Sequence, residues 1–454
     1  MSTFQGSRAA SESLAIATGY GIHDREFHKA LGSKVPKHNA LSIFRELEGK
    51  MKPIEKTRRH EYYFYEEGDH LNTAITIESY TGTAASITIT LEEADHYDSG
   101  TKSYPIVGQL AVFQNETVGY VSAVDKTTDD AHTVTLKRLR STDDLDAAAV
   151  NGASVSFYGN VQKEASTKTD SRVPVITKVT NKIHTTREKY DVTDFAAQNE
   201  VEFEYDGQKF LYVKGIADTV DRFSFEEEMN LVISPMSSGL TDASSNALQT
   251  AAGLIPQITD NGQNYEYDDA PDMATFDDIV LVLDDNYGDT EYIVGQGKNL
   301  ALQMKNFLND FSDGGDNNVS FNYFDGGEKQ ALNFNFVGIK LADVDFYLST
   351  WDCFTHRGSL GAGDMPYRHM GIFIPCGSTK DPDTNEQVPY MQLRYSPPQG
   401  AAHEVQGDIK VWETGANAKK GATNDELKRE IHMVSYKSLE IRNREKFLKM
   451  KKSA

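Results

Sequence analysis

Residues 218–233 read DTVDRFSFEEEMNLVI. Val220 and Phe223, with Ile216 just upstream, sit at i, i+4 and i+7, the recurrence of one helical face. Pro235 follows and cannot continue a helix. The spacing therefore predicts a helix over 218–233, rich in glutamate in its second half. The stretch after it, 234–253, is rich in Ser, Ala and Gly and breaks the pattern.

Downstream, residues 253–258 read GLIPQI, a turn-like segment, and residues 275–310 read TFDDIVLVLDDNYGDTEYIVGQGKNLALQMKNFLND. Thr275 is the expected N-cap of a helix over 276–286, with Asp277 and Asp278 in its first turn and Gly288 as a stop signal. A short strand is expected at 292–294. A second amphipathic helix is expected over 299–311, carrying Leu300, Met304, Phe307 and Leu308 on one face. Strand signals then return at 319–324, 331–337, 344–348, 370–374, 390–393 and 409–412. The last part, 425–452, reads as strand-like at 431–436 and basic beyond it.

Upstream, 57–68 (TRRHEYYFYEEG) is a dense aromatic strand signal. From 74 to 159 the chain is almost purely β. Strands are expected at 75–77, 87–91, 104–113, 117–124, 132–139 and 153–158, with hairpin connections at 114–116 and 125–131. This spacing suggests a small barrel or sandwich inserted between segments of different character. Residues 1–35 read as an extended arm. A helix is expected over 37–51, where Leu41, Phe44, Leu47 and Met51 recur at helical spacing before Pro53.

The 454-residue chain carries a net charge of −22, distributed unevenly. Residues 260–290 hold ten Asp/Glu and no Lys/Arg; residues 419–452 hold eleven Lys/Arg against five Asp/Glu. Such a chain repels nucleic acid and anionic lipid over its bulk surface. The opposed segments are expected either to be two solvated faces or to meet different partners. Two cysteines, Cys353 and Cys376, make no disulfide framework, so free thiols and a reducing compartment are expected. No apolar run follows Met1, which predicts no signal peptide, and the densest apolar run, 279–283, is too short to span a bilayer.

No chemical motif survives inspection. Gly295-Gln296-Gly297-Lys298-Asn299 lies between a strand and a helix, but a phosphate loop needs glycine where Tyr292 stands and a hydroxyl where Asn299 stands. The glycine-rich 358–363 (GSLGAG) runs into Asp364-Met365-Pro366 rather than a helix. His23, Glu26 and His28 lack the spacing of a helical zinc pair. Asp381-Pro382-Asp383-Thr384-Asn385 has alternating oxygens, but Glu386 replaces the glycine a calcium loop requires and position twelve is Gln392. No nucleophile elbow is present, and neither cysteine has a catalytic setting. No catalytic, cofactor-binding or metal-binding residue is expected, and no enzyme activity.

The order of these elements resembles the major capsid proteins of tailed bacteriophages, the HK97-type fold. Four stretches carry the resemblance: the arm leading into a β excursion that returns near Thr185-Thr186-Arg187-Glu188; the glutamate-rich helix over 221–233; the Gly253-Leu254-Ile255 segment; and the helix–strand–helix order of 275–310. The resemblance implies an α+β subunit with an N-terminal arm (1–56), an extended loop leaving at 57–79 and returning at 161–190, and an inserted small β-barrel or sandwich (80–160). It implies a peripheral domain with a spine helix (191–252), an axial domain (253–400), and peripheral strands with a basic C-terminus (401–454). The implied function is self-assembly into hexamers and pentamers of an icosahedral head around double-stranded DNA, assembled in the host cytoplasm. The implied partners are copies of the chain, with portal, scaffold and head decoration proteins around them. DNA is touched only by non-specific proximity, and no membrane is involved.

Two rival readings are an encapsulin-like compartment shell and a β-rich tail or carbohydrate-binding protein. In the latter, Tyr62, Tyr63 and Tyr65 would stack on sugars rather than fill a core or an interface.

Overall fold

The computed structural model describes residues 55–56, 59–67, 74–92, 105–125, 127, 132–161, 176–193, 211–241, 243–245, 248–313, 337–355, 360, 365–380, 387–396, 405–406, 409–416, 418 and 421–453. The arm, the expected helix over 37–51 and the expected strand at 319–324 lie outside these residues, as does most of the one at 331–337. The chain divides into two compact units, one comprising 63–180 and the other 1–62 with 181–454.

In the 63–180 unit, six strands close into a barrel. Their order round it is Ile75–Thr83, Ser86–Leu91, Thr133–Arg138, Val118–Asp125, Leu110–Val112 and Ser154–Tyr158. Every pairing is antiparallel. Ser86–Leu91 shows why these residues form strands. Ile87, Ile89 and Leu91 point inward and are fully buried, while Ser86, Thr88 and Thr90 face outward. The interior holds Ile75, Ile77, Val121, Val134, Leu136, Val155 and Phe157, and each such side chain contributes on the order of 1.5–3 kcal/mol by leaving water. A short helix, α1 (Leu145–Ala148), inserts Leu145 into this core. Asp144 caps it by accepting from the Asp146 and Ala147 amides. The barrel starts at Ile75, five residues ahead of the boundary drawn at 80 from the sequence, because the first strand pairs with Ser154–Tyr158 from that residue on. Glu61–Glu67 and Ile176–Lys182 form a two-stranded ribbon.

The other unit is built on two sheets. In the first, Lys428–Ile441 is a 14-residue central strand. His184–Thr193 runs antiparallel along one flank for ten residues, from His184 opposite Lys437 to Thr193 opposite Lys428. Ile409–Gly415 and Met391–Tyr395 share the other flank, with Glu55–Lys56 and Val405–Gln406 outside them. One face is covered by α2 (Leu211–Ile233). Its buried stripe is Thr219, Phe223, Glu227 and Leu231, four residues apart, with Glu228 and Val232 beside it. The helix starts seven residues before the sequence-based boundary; Gly215, which weakens a helix by about 1 kcal/mol, lies inside it. It ends at Ile233, two residues before Pro235.

The second sheet has the order Gln263–Tyr267, Leu448–Lys452, Gly371–Pro375, Glu291–Gln296, Val344–Thr350, Val337–Leu341. Two of its pairings are parallel, Gln263–Tyr267 with Leu448–Lys452 and Glu291–Gln296 with Val344–Thr350. Both its faces are covered, so Gly371–Pro375 is buried at every residue and reads as a continuous apolar run. One face packs against α3 (Leu254–Asn261) and the C-terminal end of α2 through Leu231, Val232, Leu254 and Ile258. The opposite face packs against α4 (Met273–Asp285) and α5 (Lys298–Asp313) through Phe276, Ile279, Leu283, Leu300 and Met304.

Two expectations change here. Residues 254–261 are a helix rather than a turn, since Leu254, Gln257 and Ile258 bury one face at i, i+3, i+4. Helix α4 is capped by Asp272, not Thr275. Asp272 accepts from the Thr275 amide at 2.9 Å while the Thr275 hydroxyl reaches back to the Asp272 amide, a reciprocal capping box that starts the helix two residues after Pro271.

Candidate assembly surfaces

The central strand alternates its roles along its length. On the face under α2, Ile431 and Met433 pack on Phe223. Further along that face, Ser435 and Lys437 both donate to Glu227 of the helix, Lys437 at 2.9 Å. Glu227 is 1% exposed and Lys437 7%, so this is a desolvated ion pair, held because each charge keeps its partner. One residue on, Glu228 is equally buried, and neither of its carboxylate oxygens has a hydrogen-bond partner. Burial, reinforced by the charge of Asp352, pushes its pKa up to about 9, so Glu228 is a neutral acid at pH 7.

The opposite face of the strand is polar. Glu440, fully buried, accepts from Arg394, from Arg442 at 2.6 Å and from Gln392 at 3.2 Å. Burial alone would raise its pKa; the two guanidinium groups outweigh that and hold it below the usual value. Tyr62 lies over the same end. Its hydroxyl donates to the Leu439 carbonyl (3.2 Å) and accepts from Ser438 (3.0 Å), and Arg394 sits 4.9 Å from its ring. Asn181 and Gln257 also donate to the Leu439 carbonyl, at 3.0 and 3.1 Å. At the other end, hydrogen bonds from Lys428 and then Lys189 hold Glu430 down near 2. Between these ends the Trp412 ring stacks on His432, centroids 5.0 Å apart.

Part of the acidic segment and part of the basic one meet inside one chain. Gln263–Tyr267 pairs in parallel with Leu448–Lys452. Lys451 lies 2.7 Å from Glu266, Lys452 lies 3.3 Å from Asp269, and Ser453 donates to Asp268 at 3.0 Å. Lys449, on the same strand face as Lys451, has its side chain buried and donates to Thr259 at 2.7 Å. What looked like a basic tail is a sheet strand whose cations are taken up locally.

The aromatic run splits by strand alternation. Tyr62 and Phe64 are buried, whereas Tyr63 and Tyr65 are 54% and 63% exposed and meet edge to face at 5.7 Å. Lys178 of the ribbon's second strand stands 4.3 Å over the Tyr63 ring. Leu281 of α4 and Leu302 of α5 are exposed at 61% and 52%.

The glycines of the would-be phosphate loop have a packing role. A Cβ on Gly295 would lie 2.1 Å from the Trp351 ring, and one on Gly297 would lie 2.4 Å from the Tyr367 carbonyl. The 297–298 junction is a strand-to-helix turn held against its neighbours. Cys353 is buried and Cys376 half-buried, and neither forms a disulfide. His23, Glu26, His28, the 381–386 loop and all of 358–363 except Leu360 lie outside the described residues. Among the described residues no group of three His, Cys, Asp or Glu could hold a metal ion, and no helix is long and apolar enough to cross a membrane.

No protein-family model matches the sequence, and no curated protein matches it. Among solved structures the chain is similar to the capsid of a native GTA particle, at 8% identity over 97% of this chain and 99% of that chain, with a TM-score of 0.43. It is also similar to a structure of Microbacterium phage Oxtober96, at 9% identity over 99% and 100% of the two chains, TM-score 0.39. A third similarity is to an encapsulin complex from Synechococcus elongatus, at 10% identity over 61% and 75%, TM-score 0.33.

Proposed function

We propose that this chain is the major capsid protein of a tailed bacteriophage, a shell subunit whose chemistry is association. The observation that carries the reading is the 23-residue helix Leu211–Ile233 lying on a sheet whose longest strand pairs with His184–Thr193. That arrangement is the spine helix and returning loop which the sequence order implies. In this reading 1–56 is the arm, 57–79 and 161–190 form the extended loop up to the barrel's first strand at Ile75, and the barrel is an inserted domain. Residues 191–252 and 401–454 form the peripheral domain and 253–400 the axial one, except that Met391–Tyr395 joins the long-strand sheet and Leu448–Lys452 the other.

Identical chains then join through heterologous contacts into hexamers and pentamers, which close as an icosahedral head. The net charge of −22 keeps the subunit from coating double-stranded DNA, so the DNA is enclosed rather than bound. Portal, scaffold and decoration proteins complete the head, which is assembled in the host cytoplasm. The subunit performs no catalysis.

Electron microscopy of the purified full-length chain tests this directly. Rings of five and six subunits or closed shells are expected. A dispersed monomer that binds glycans through Tyr63 and Tyr65 would overturn the proposal in favour of a binding module, and shells that form around protein cargo and never take up DNA would favour a compartment.

A further inference from the structure

Helices α4 and α5 cover one face of the six-stranded sheet, and each turns an unpartnered stripe outward. On α4 the stripe is Asp277, Leu281 and Asp284; on α5 it is Lys298, Leu302 and Lys305. Both triplets follow i, i+4, i+7, so each lies along one line of its helix. In both, two like charges about 10 Å apart flank an exposed leucine. The charges are opposite in sign, and the pattern reads the same in either direction. All six side chains are exposed.

No ion pair ties Asp277, Asp284, Lys298 or Lys305 to another described residue. Asp278, beside the acidic stripe, is different: it accepts a hydrogen bond from Tyr265 at 3.0 Å. Several other charges in this unit are paired within the chain, as at Glu227–Lys437, Glu440–Arg394 and Lys451–Glu266. The two helical stripes are thus matched to each other and left unused within one copy.

We propose that the Asp277–Leu281–Asp284 stripe of one copy docks on the Lys298–Leu302–Lys305 stripe of a second copy. The two leucines meet at the centre and two ion pairs form at the flanks. The contact uses different surfaces on its two sides, so it is head-to-tail and propagates round a ring. It rests on the shell reading and supplies one residue-level contact within it. Flanking charges of this kind set register and partner choice more than affinity, and juxtaposed like charges oppose association.

The test uses four full-length proteins at equal concentration and moderate salt: the native chain, Asp277→Lys/Asp284→Lys, Lys298→Glu/Lys305→Glu, and the fourfold reversal. Circular dichroism and melting check that each is folded, as expected for exposed positions. Light scattering and negative-stain microscopy read assembly. Each two-residue variant alone is expected to lose about tenfold or more of its assembled fraction. The fourfold reversal regains assembly, and mixing the two defective variants restores six-membered rings, in which the two alternate and each offers the stripe the other lacks. If both defective variants, folded, assemble like the native chain, the docking is wrong while the shell reading stands. Failure of the folded fourfold reversal and of the mixture also overturns the docking. A native chain that stays monomeric overturns the shell reading and the docking with it.

Discussion

The barrel and the long-strand sheet solve the same problem in opposite ways. The barrel interior is isoleucine, valine, leucine and phenylalanine, sealed by closure of the sheet on itself. The sheet under α2 buries Glu227, Glu228, Lys437 and Glu440 among its apolar residues. A barrel of that kind stabilises itself mainly through area removed from water; among the charged or titratable side chains described in that unit, His132 is the one buried to a comparable degree. The sheet is held partly by charges that are costly to leave unpaired, so its stability depends on partners and on pH. A module that only has to fold can be apolar throughout; a surface that sets register benefits from polar groups that fit in one way.

The comparison breaks most readily at Lys437. Lys437→Met leaves Glu227 buried with Ser435 alone and is expected to cost about 3–5 kcal/mol in denaturant unfolding. The double variant Lys437→Met/Glu227→Leu should recover most of that loss, since it removes both charges. If Lys437→Met costs no more than a surface substitution, the pair is not desolvated and the contrast with the barrel fails.

Glu228 sharpens the contrast through pH. The unfolded chain releases this proton near the ordinary value of 4.5, while the folded chain holds it to about 9. Within that window the folded state loses stability with each rise in pH. Glu228→Gln should therefore melt with the native protein near pH 4.5 and be the more stable by on the order of 2–3 kcal/mol at pH 7. Melting midpoints that stay together from pH 5 to 9 would show that the carboxyl is not held neutral.

In the barrel, Ile89→Val should cost about 0.5–1.5 kcal/mol, the same at pH 5 and pH 8, because only packing is lost. A pH-dependent loss there would erase the distinction between the regions. The smallest effect is expected at the sheet edge: Lys452→Ala removes a pair whose aspartate is fully exposed, and unfolding should shift by less than about 0.5 kcal/mol.

Most barrel strands were legible because one face is apolar and the other polar, a period-two signal that needs no partner to be seen, though the strand expected at 104–113 is only Leu110–Val112. Helix α2 was legible from Asp218 to Ile233, but its first turns were hidden by Gly215. The cap of α4 was misplaced because Thr275 and Asp272 are both good caps and only the reciprocal bond decides between them. The charged strands were the least legible. In Lys428–Ile441, Glu430, Lys437 and Glu440 look like solvated positions, and in Leu448–Lys452 the lysines look like a tail. Apart from Lys428 and Arg442, their partners, Lys189, Glu227, Arg394 and Glu266, lie far away in sequence. The matched stripes on α4 and α5 were not read from the sequence, and their equivalence emerges only once both helices are placed on one sheet face.

Sedimentation velocity of the purified full-length chain tests the central claim most directly. The shell reading predicts capsomer-sized and larger species in concentration-dependent exchange with, or in place of, the 50.5 kDa subunit. A single boundary at the mass of one chain, unchanged across concentration and salt, would contradict it.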